Sequence, residues 1–75
     1  MLEAVTLKEI EKIFAITDAM GIHREALVIP LGTATPGRVR KLVSGKIEIT
    51  VDALMPFDEW LKGVPALIRQ ATGAA

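Results

Sequence analysis

Residues 5–21 have the apolar spacing of an amphipathic helix. Thr6 and Glu9 form a capping box, and Val5 and Ile10 stand at the positions of a hydrophobic staple. The stripe that follows repeats about every 3.6 residues and consists of Leu7, Ile10, Ile13, Phe14, Thr17 and Met20. Gly21 supplies a residue that tolerates the left-handed conformation at helix ends. The pattern predicts a first helix over residues 7–20.

Residues 23–32 are mostly apolar, and their pattern allows two structures. The segment begins like a helix, but Pro30 removes a backbone donor and clashes with the preceding turn. We therefore predict a short second helix that ends before Pro30. A buried strand over residues 26–31 is the alternative, because short apolar runs do not discriminate between the two.

Residues 35–46 carry signals for both ends of a third helix. Thr35 is a good N-cap, Pro36 suits the first helical position, and Ser44-Gly45 offers a stop. A helical wheel places three apolar residues inward: Val39, Leu42 and Val43. It places Arg38 at the border between the two faces. The outward-facing residues are Gly37, Arg40, Lys41 and Ser44. This predicted helix presents basic groups to solvent.

The C-terminal third contains one alternating segment and two proline-started helices. Residues 47–51 alternate apolar and polar side chains, which favours a half-buried strand, although a helix beginning near Thr50 is the alternative. Pro56 and Pro65 are each accommodated in the first turn of a helix, and Gly63 ends the first of these. The predicted fold is mainly α: a compact domain of four to five helices over residues 1–72, with room for one short strand at 47–51 and a frayed tail at 73–75.

Composition restricts the class of protein. Hydrophobic residues make up 51% of the 75 residues, and most of them are aliphatic, which favours a self-associating surface. The chain has no cysteine, so a disulfide framework or a thiolate metal site is excluded. No apolar run approaches the ~20 residues of a membrane helix, and the N-terminal segment is acidic where a secretory signal is basic. We expect a soluble, cytoplasmic protein.

Charge is distributed unevenly although the formal net charge is zero. Residues 35–46 hold four Lys or Arg and no acid, whereas residues 1–34 hold three against five and residues 47–75 hold two against four. Zero net charge argues weakly against nucleic acid, because phosphate binding is driven mostly by Lys and Arg. Concentration of the positive charge in one segment outweighs that argument.

The sequence Leu31-Gly32, a short turn and then TPGRVRKLVSGK resembles the second and third helices of the phage repressor/Cro and bacterial XRE helix-turn-helix group. The matching features are Gly32 at the turn, the pair Val39 and Leu42, and Gly45-Lys46 after the helix. The resemblance covers residues 24–64, with residues 50–61 as a supporting helix. RVRKLVSGKI followed by DEWL is similar, more weakly, to excisionase-like winged-helix proteins. Both resemblances imply DNA binding by a basic helix in the major groove.

The chemistry of the segment supports the same function. Arg and Lys pair with guanine O6 and N7, so Arg40 and Lys41 are the base-edge candidates. Arg38, Lys46 and the Thr35 turn flank the exposed face and suit phosphates, Ser44 suits either role, and Gly37 lies on the same face. We expect a dimeric, sequence-specific transcriptional regulator of phage or mobile-element type that occupies a promoter, as a repressor or an activator. In a two-fold dimer, the half-sites on double-stranded DNA would lie about 34 Å apart.

Two structural alternatives remain open. The basic face can be an ordinary solvated surface. An apolar cluster near the C-terminus is either plain core or the seam of a homodimer, and its members are Trp60, Leu61, Val64, Leu67 and Ile68. If the cluster binds another chain and DNA is irrelevant, the protein is an interaction or assembly module of antitoxin-like type.

Catalytic and cofactor sites are not indicated. His23 is the single histidine and suits a cap or surface position, and Asp58-Glu59 neighbours do not share one helical face. The run Gly32 to Gly37 lacks the Gly-Lys-Ser/Thr ending of a phosphate loop. We expect no enzyme activity, cofactor, metal or small-molecule ligand.

Overall fold

The chain folds as helices packed against one face of a small mixed sheet. A computed structural model describes residues 4–73. The elements in chain order are α1 (Leu7–Ala19), a 3₁₀ turn (Arg24–Ala26), β1 (Leu27–Val28), β2 (Arg38–Lys41), β3 (Ile47–Thr50), α2 (Phe57–Lys62) and α3 (Val64–Thr72). The predicted mainly α fold of four to five helices is therefore wrong, and the domain is of mixed α and β structure.

The first helix is confirmed with its capping box. Glu9 Oε1 accepts hydrogen bonds from the Thr6 backbone N–H at 2.9 Å and from the Thr6 hydroxyl at 2.6 Å. These bonds stabilise the charged carboxylate and lower the pKa of Glu9. The helix ends at Ala19, and Gly21 has the expected positive φ of 76°.

The predicted second helix is wrong, and its strand alternative is closer to the structure. Only one 3₁₀ turn forms before β1, which pairs in parallel with β3. β2 pairs with the other side of β3 in antiparallel orientation, so the strand order is β1-β3-β2. The strand predicted at 47–51 is confirmed as β3.

The core lies between the sheet and the helices. Its buried side chains are Val5, Ile13, Ile47, Ile49, Val51, Trp60, Val64 and Ile68. Ile47 and Ile49 alternate along β3 and share one face of the sheet, which fixes the register of the hairpin with β2. The indole Nε1 of Trp60 is buried and has no hydrogen-bond partner among residues 4–73.

The predicted third helix is also wrong, because residues 38–50 form a β-hairpin. β2 and β3 are separated by five residues, and Val39 lies opposite the fully buried Ile49. Alternation of side chains along β2 turns Val39 toward α3 and the core while Arg38 and Arg40 face the other way. Pairing with an apolar strand therefore outweighs the helix-start signal at Thr35-Pro36, whose peptide bond is cis.

A backbone strap holds the base of the hairpin. The Ala34 N–H donates to the Val51 carbonyl at 3.0 Å, and the Ala53 N–H donates to the Ala34 carbonyl at 2.8 Å. Gly37 donates its N–H to the Asp52 carboxylate at 2.8 Å. A Cβ atom on Gly37 would lie 2.5 Å from the Asp52 backbone nitrogen. Glycine is therefore required where the two segments cross.

Both proline-started helices are confirmed as α2 and α3, with Gly63 between them. Lys12 Nζ lies 3.0 Å from Asp58 Oδ1 and joins α1 to α2. The helical part extends to Thr72, and Gly73 follows in the left-handed conformation. Most of the predicted frayed tail, residues 74–75, lies outside the described residues.

Candidate nucleic-acid interface

The tip of the β2–β3 hairpin is a three-residue loop. The Leu42 N–H donates to the Lys46 carbonyl at 2.7 Å, and the Gly45 N–H donates to the Leu42 carbonyl at 2.9 Å. Gly45 has a φ of 90°, in the left-handed region. These features describe a turn followed by a left-handed glycine, a common hairpin connection that continues the pairing of β2 with β3.

The basic residues of the segment lie along this hairpin. Arg38 and Arg40 share the face turned away from the core, opposite Thr50 and Glu48. Lys46 lies opposite Leu42 and continues that face. Lys41 lies on the core-facing side but is exposed. The sequence prediction of a basic surface survives, although a hairpin presents it instead of a helix.

One of the four basic residues is already paired. Arg40 Nε lies 2.8 Å from Glu48 Oε1, and their side chains are 53% and 15% exposed. The bond uses Nε, so the two terminal nitrogens of the guanidinium are available to another acceptor. The pair therefore orients Arg40 without using all of its donors.

Three basic residues have no acidic partner in the part of the chain that the structure describes: Arg38, Lys41 and Lys46. All three are exposed. The single carboxylate on the outer face of the hairpin is that of Glu48. The hairpin therefore carries an excess of positive charge on a chain whose net charge is zero.

Three predicted contact residues have other positions than expected. Gly37 is part of the strap to Asp52 and serves packing. Thr35 lies in an exposed bend, so the helix N-terminus expected to bind phosphate there does not exist. Ser44 lies in the loop, where its Oγ is 3.4 Å from the Lys46 backbone nitrogen.

The expected dimer seam is largely core. Trp60, Val64 and Ile68 are buried within the single chain and leave no surface for a second copy. Leu61 and Leu67 are half-buried, and Leu61 packs against the same core. The core alternative therefore describes this cluster, and the seam assignment is wrong for its buried members.

Asp52 is a structural residue that sequence analysis missed. Its carboxylate accepts N–H bonds from Gly37 at 2.8 Å, Leu54 at 2.9 Å and Met55 at 2.8 Å. These donors, that of Gly37 first, lower the pKa of Asp52. The residue holds the start of β2 beside the end of β3, and so positions the basic hairpin.

Val43 and Glu48 were also missed as site residues. Val43 is fully exposed at 109%, although the helical wheel placed it inward. The signal that finds both is the alternation of RVRK and KIEIT on either side of Ser44-Gly45, which is typical of a hairpin.

A groove outside the hairpin is lined by Asp18, Gly21, Ile22, His23, Arg24 and Glu25. Arg24 pairs with Asp18 at 2.9 Å, which raises the pKa of Arg24, and its guanidinium lies 4.6 Å from the centre of the Phe14 ring. No group of three or more metal-ligating side chains occurs among residues 4–73.

Comparisons of the chain with protein-family models, curated proteins and solved structures gave no significant match. Among the described residues, the helices are too short or too polar to cross a bilayer.

Proposed function

We propose that this protein binds double-stranded DNA through the β2–β3 hairpin and acts as a sequence-specific transcriptional regulator in the cytoplasm. The observation that carries the proposal is the group of three exposed cations without acidic partners on one hairpin: Arg38, Lys41 and Lys46. Two-stranded β-ribbons bind DNA through the major or the minor groove. DNA therefore remains the proposed partner of the basic segment, although a hairpin and not a helix would bind it.

The unpaired cations set the expected strength and salt dependence of binding. Each cation that neutralises a phosphate releases counterions, and three such contacts predict a slope of log K against log [salt] of about −2.7. Affinity should then fall about 40-fold between about 50 and 200 mM salt. One hairpin alone is expected to bind weakly.

Sequence preference is assigned to Arg40. Residues two apart on a strand are separated by about 6.7 Å, so Arg38 can lie on a phosphate while Arg40 reaches a base edge. Glu48 fixes Arg40 through Nε and leaves the terminal nitrogens to bind. A guanidinium held in place loses less conformational freedom when it forms the specific contact.

The first test is selection from a randomised duplex library at low salt, followed by salt titration of the enriched sequences. Lys46→Gln should weaken binding to all sequences and reduce the slope by about one. Lys8→Gln is the matched control, because Lys8 is an exposed cation on α1, away from the hairpin, and takes part in no ion pair within 4 Å among the described residues. Equal effects of the two substitutions, or no retained DNA, would refute binding by the hairpin.

A second candidate function is strand addition at the free edge of β2. Because Leu42 bonds to Lys46 and the pairing alternates, the backbone N–H groups of Val39 and Lys41 face away from β3. Two copies of the chain can pair there, although their cations would repel. Lys41→Pro blocks such pairing, and Lys41→Gln controls for the lost charge. Sedimentation that shows a dimer of Lys41→Gln but not of Lys41→Pro would favour this function.

A further inference from the structure

The tip of the hairpin carries an aliphatic side chain in the most exposed position available. Val43 is 109% exposed, more than any other large hydrophobic residue among residues 4–73. Loops of this kind favour Gly, Asn, Asp, Ser and Pro, because these residues suit turn geometry and solvent. The structure gives Val43 no packing role in the isolated chain.

The surroundings of Val43 suit insertion into a narrow site. The next two residues are Ser44 and Gly45, so the loop carries only small side chains after Val43. Lys41 ends β2 and Lys46 immediately precedes β3, so a cation lies on either side of the loop, and both are exposed. The apolar side chain of Val43, with a lysine on either side of the loop, is therefore directed away from the domain.

We propose that Val43 enters the DNA minor groove and wedges between two base pairs, which bends the duplex. The inference rests on the proposed function and specifies how the hairpin binds. Apolar side chains inserted at base steps unstack them and kink the duplex toward the major groove. The minor groove, about 6 Å wide, admits a small loop better than a helix. Lys41 and Lys46 then lie beside the phosphates on its two sides, and Arg40 reads the groove's width and A·T content.

The test measures bending and affinity together on one duplex. A duplex of about 30 bp, much shorter than the persistence length of DNA, is labelled at both ends for energy transfer. The wild type and Val43→Leu should raise the transfer efficiency. Val43→Ser should bind about tenfold more weakly and leave the efficiency at that of free DNA. Leu31→Ser, at another exposed aliphatic residue, should behave as the wild type.

A flexible TA step at the centre of the duplex gives a second readout. Such steps unstack easily, so the wild type should prefer this duplex to one with a stiff A-tract, and Val43→Ser should lose the preference. Because Val43 makes no core contacts, its variants should unfold at the wild-type temperature.

Each outcome separates the two proposals. If the wild type binds and Val43→Ser bends DNA equally, the wedge is refuted and the DNA-binding proposal stands. If the wild type does not bind the duplex, both are refuted. Vesicles of phosphatidylcholine with phosphatidylserine test the alternative occupant. Binding to them but not to DNA, lost in Val43→Ser, would assign the tip to an anionic membrane surface and overturn the wedge.

Discussion

We predict that packing requires glycine at position 37 and that Gly37 does not contact DNA. In Gly37→Ala, the new Cβ would meet the Asp52 backbone nitrogen at 2.5 Å and the Asp52 Cα at 2.7 Å. Ordinary contact begins near 3.4 Å, so one segment must move by about 0.9 Å, and overpacking of this kind costs about 1–3 kcal/mol. Movement would also strain the bond from the Gly37 N–H to the Asp52 carboxylate.

Thermal unfolding measures this cost directly. A loss of about 2 kcal/mol lowers the melting temperature of a domain of this size by about 8–16 °C. The single tryptophan, Trp60, is buried, so its fluorescence reports unfolding. Gly32→Ala is the matched control in the same loop, because its Cβ would meet nothing within 4 Å. It should melt at or slightly above the wild-type temperature. Equal melting temperatures for the two variants would refute the close approach of Gly37 to Asp52.

Two further predictions concern carboxylates beside the hairpin. Glu48→Gln removes the negative charge opposite Arg40, so we expect affinity for every duplex to rise about threefold at low salt while discrimination between sequences falls. Affinities for the selected duplex and a scrambled duplex measure both quantities. A rise in affinity together with a rise in discrimination would contradict the positioning role of Glu48. The pKa of Asp52 is lowered in the folded state, so its contribution to stability is present above the unfolded carboxyl value and is lost as the pH falls through the folded value. Asp52→Asn should therefore have a lower melting temperature than the wild type at neutral pH, and the difference should shrink below about pH 4. A constant difference in melting temperature across a pH series would contradict stabilisation by the Asp52 carboxylate.

Local signals predicted three elements correctly. The Thr6–Glu9 capping box starts α1, Pro56 and Gly63 bound α2, and alternation along residues 47–50 identifies β3. Each of these signals operates within a few residues of the chain. The structure agrees with them because distant contacts favour the same elements, and β3, for example, pairs with β1 and β2.

The segment 35–46 was mispredicted because its structure depends on a partner strand. Thr35-Pro36 is a good helix start, and the apolar spacing of Val39, Leu42 and Val43 fits a helical wheel better than a strand. Pairing with β3 and burial of Val39 against α3 decide the outcome. The change of period reverses the position of Val43, from an inner face to full exposure. The position of the basic cluster in the sequence did not depend on that choice.

Salt dependence separates the two candidate functions because it has opposite signs in them. DNA binding through Arg38, Lys41 and Lys46 weakens as salt rises, since counterions compete for the phosphates. Pairing of two β2 edges strengthens as salt rises, since it brings Arg38 and Lys41 of the two copies together and salt screens their repulsion. If two copies bind one site, the six unpaired cations predict a slope of about −5.4 instead of −2.7. The slope therefore indicates how many hairpins bind one DNA site. If two copies are needed, their dimer contact must lie outside Trp60, Val64 and Ile68, because these side chains are buried within the single chain.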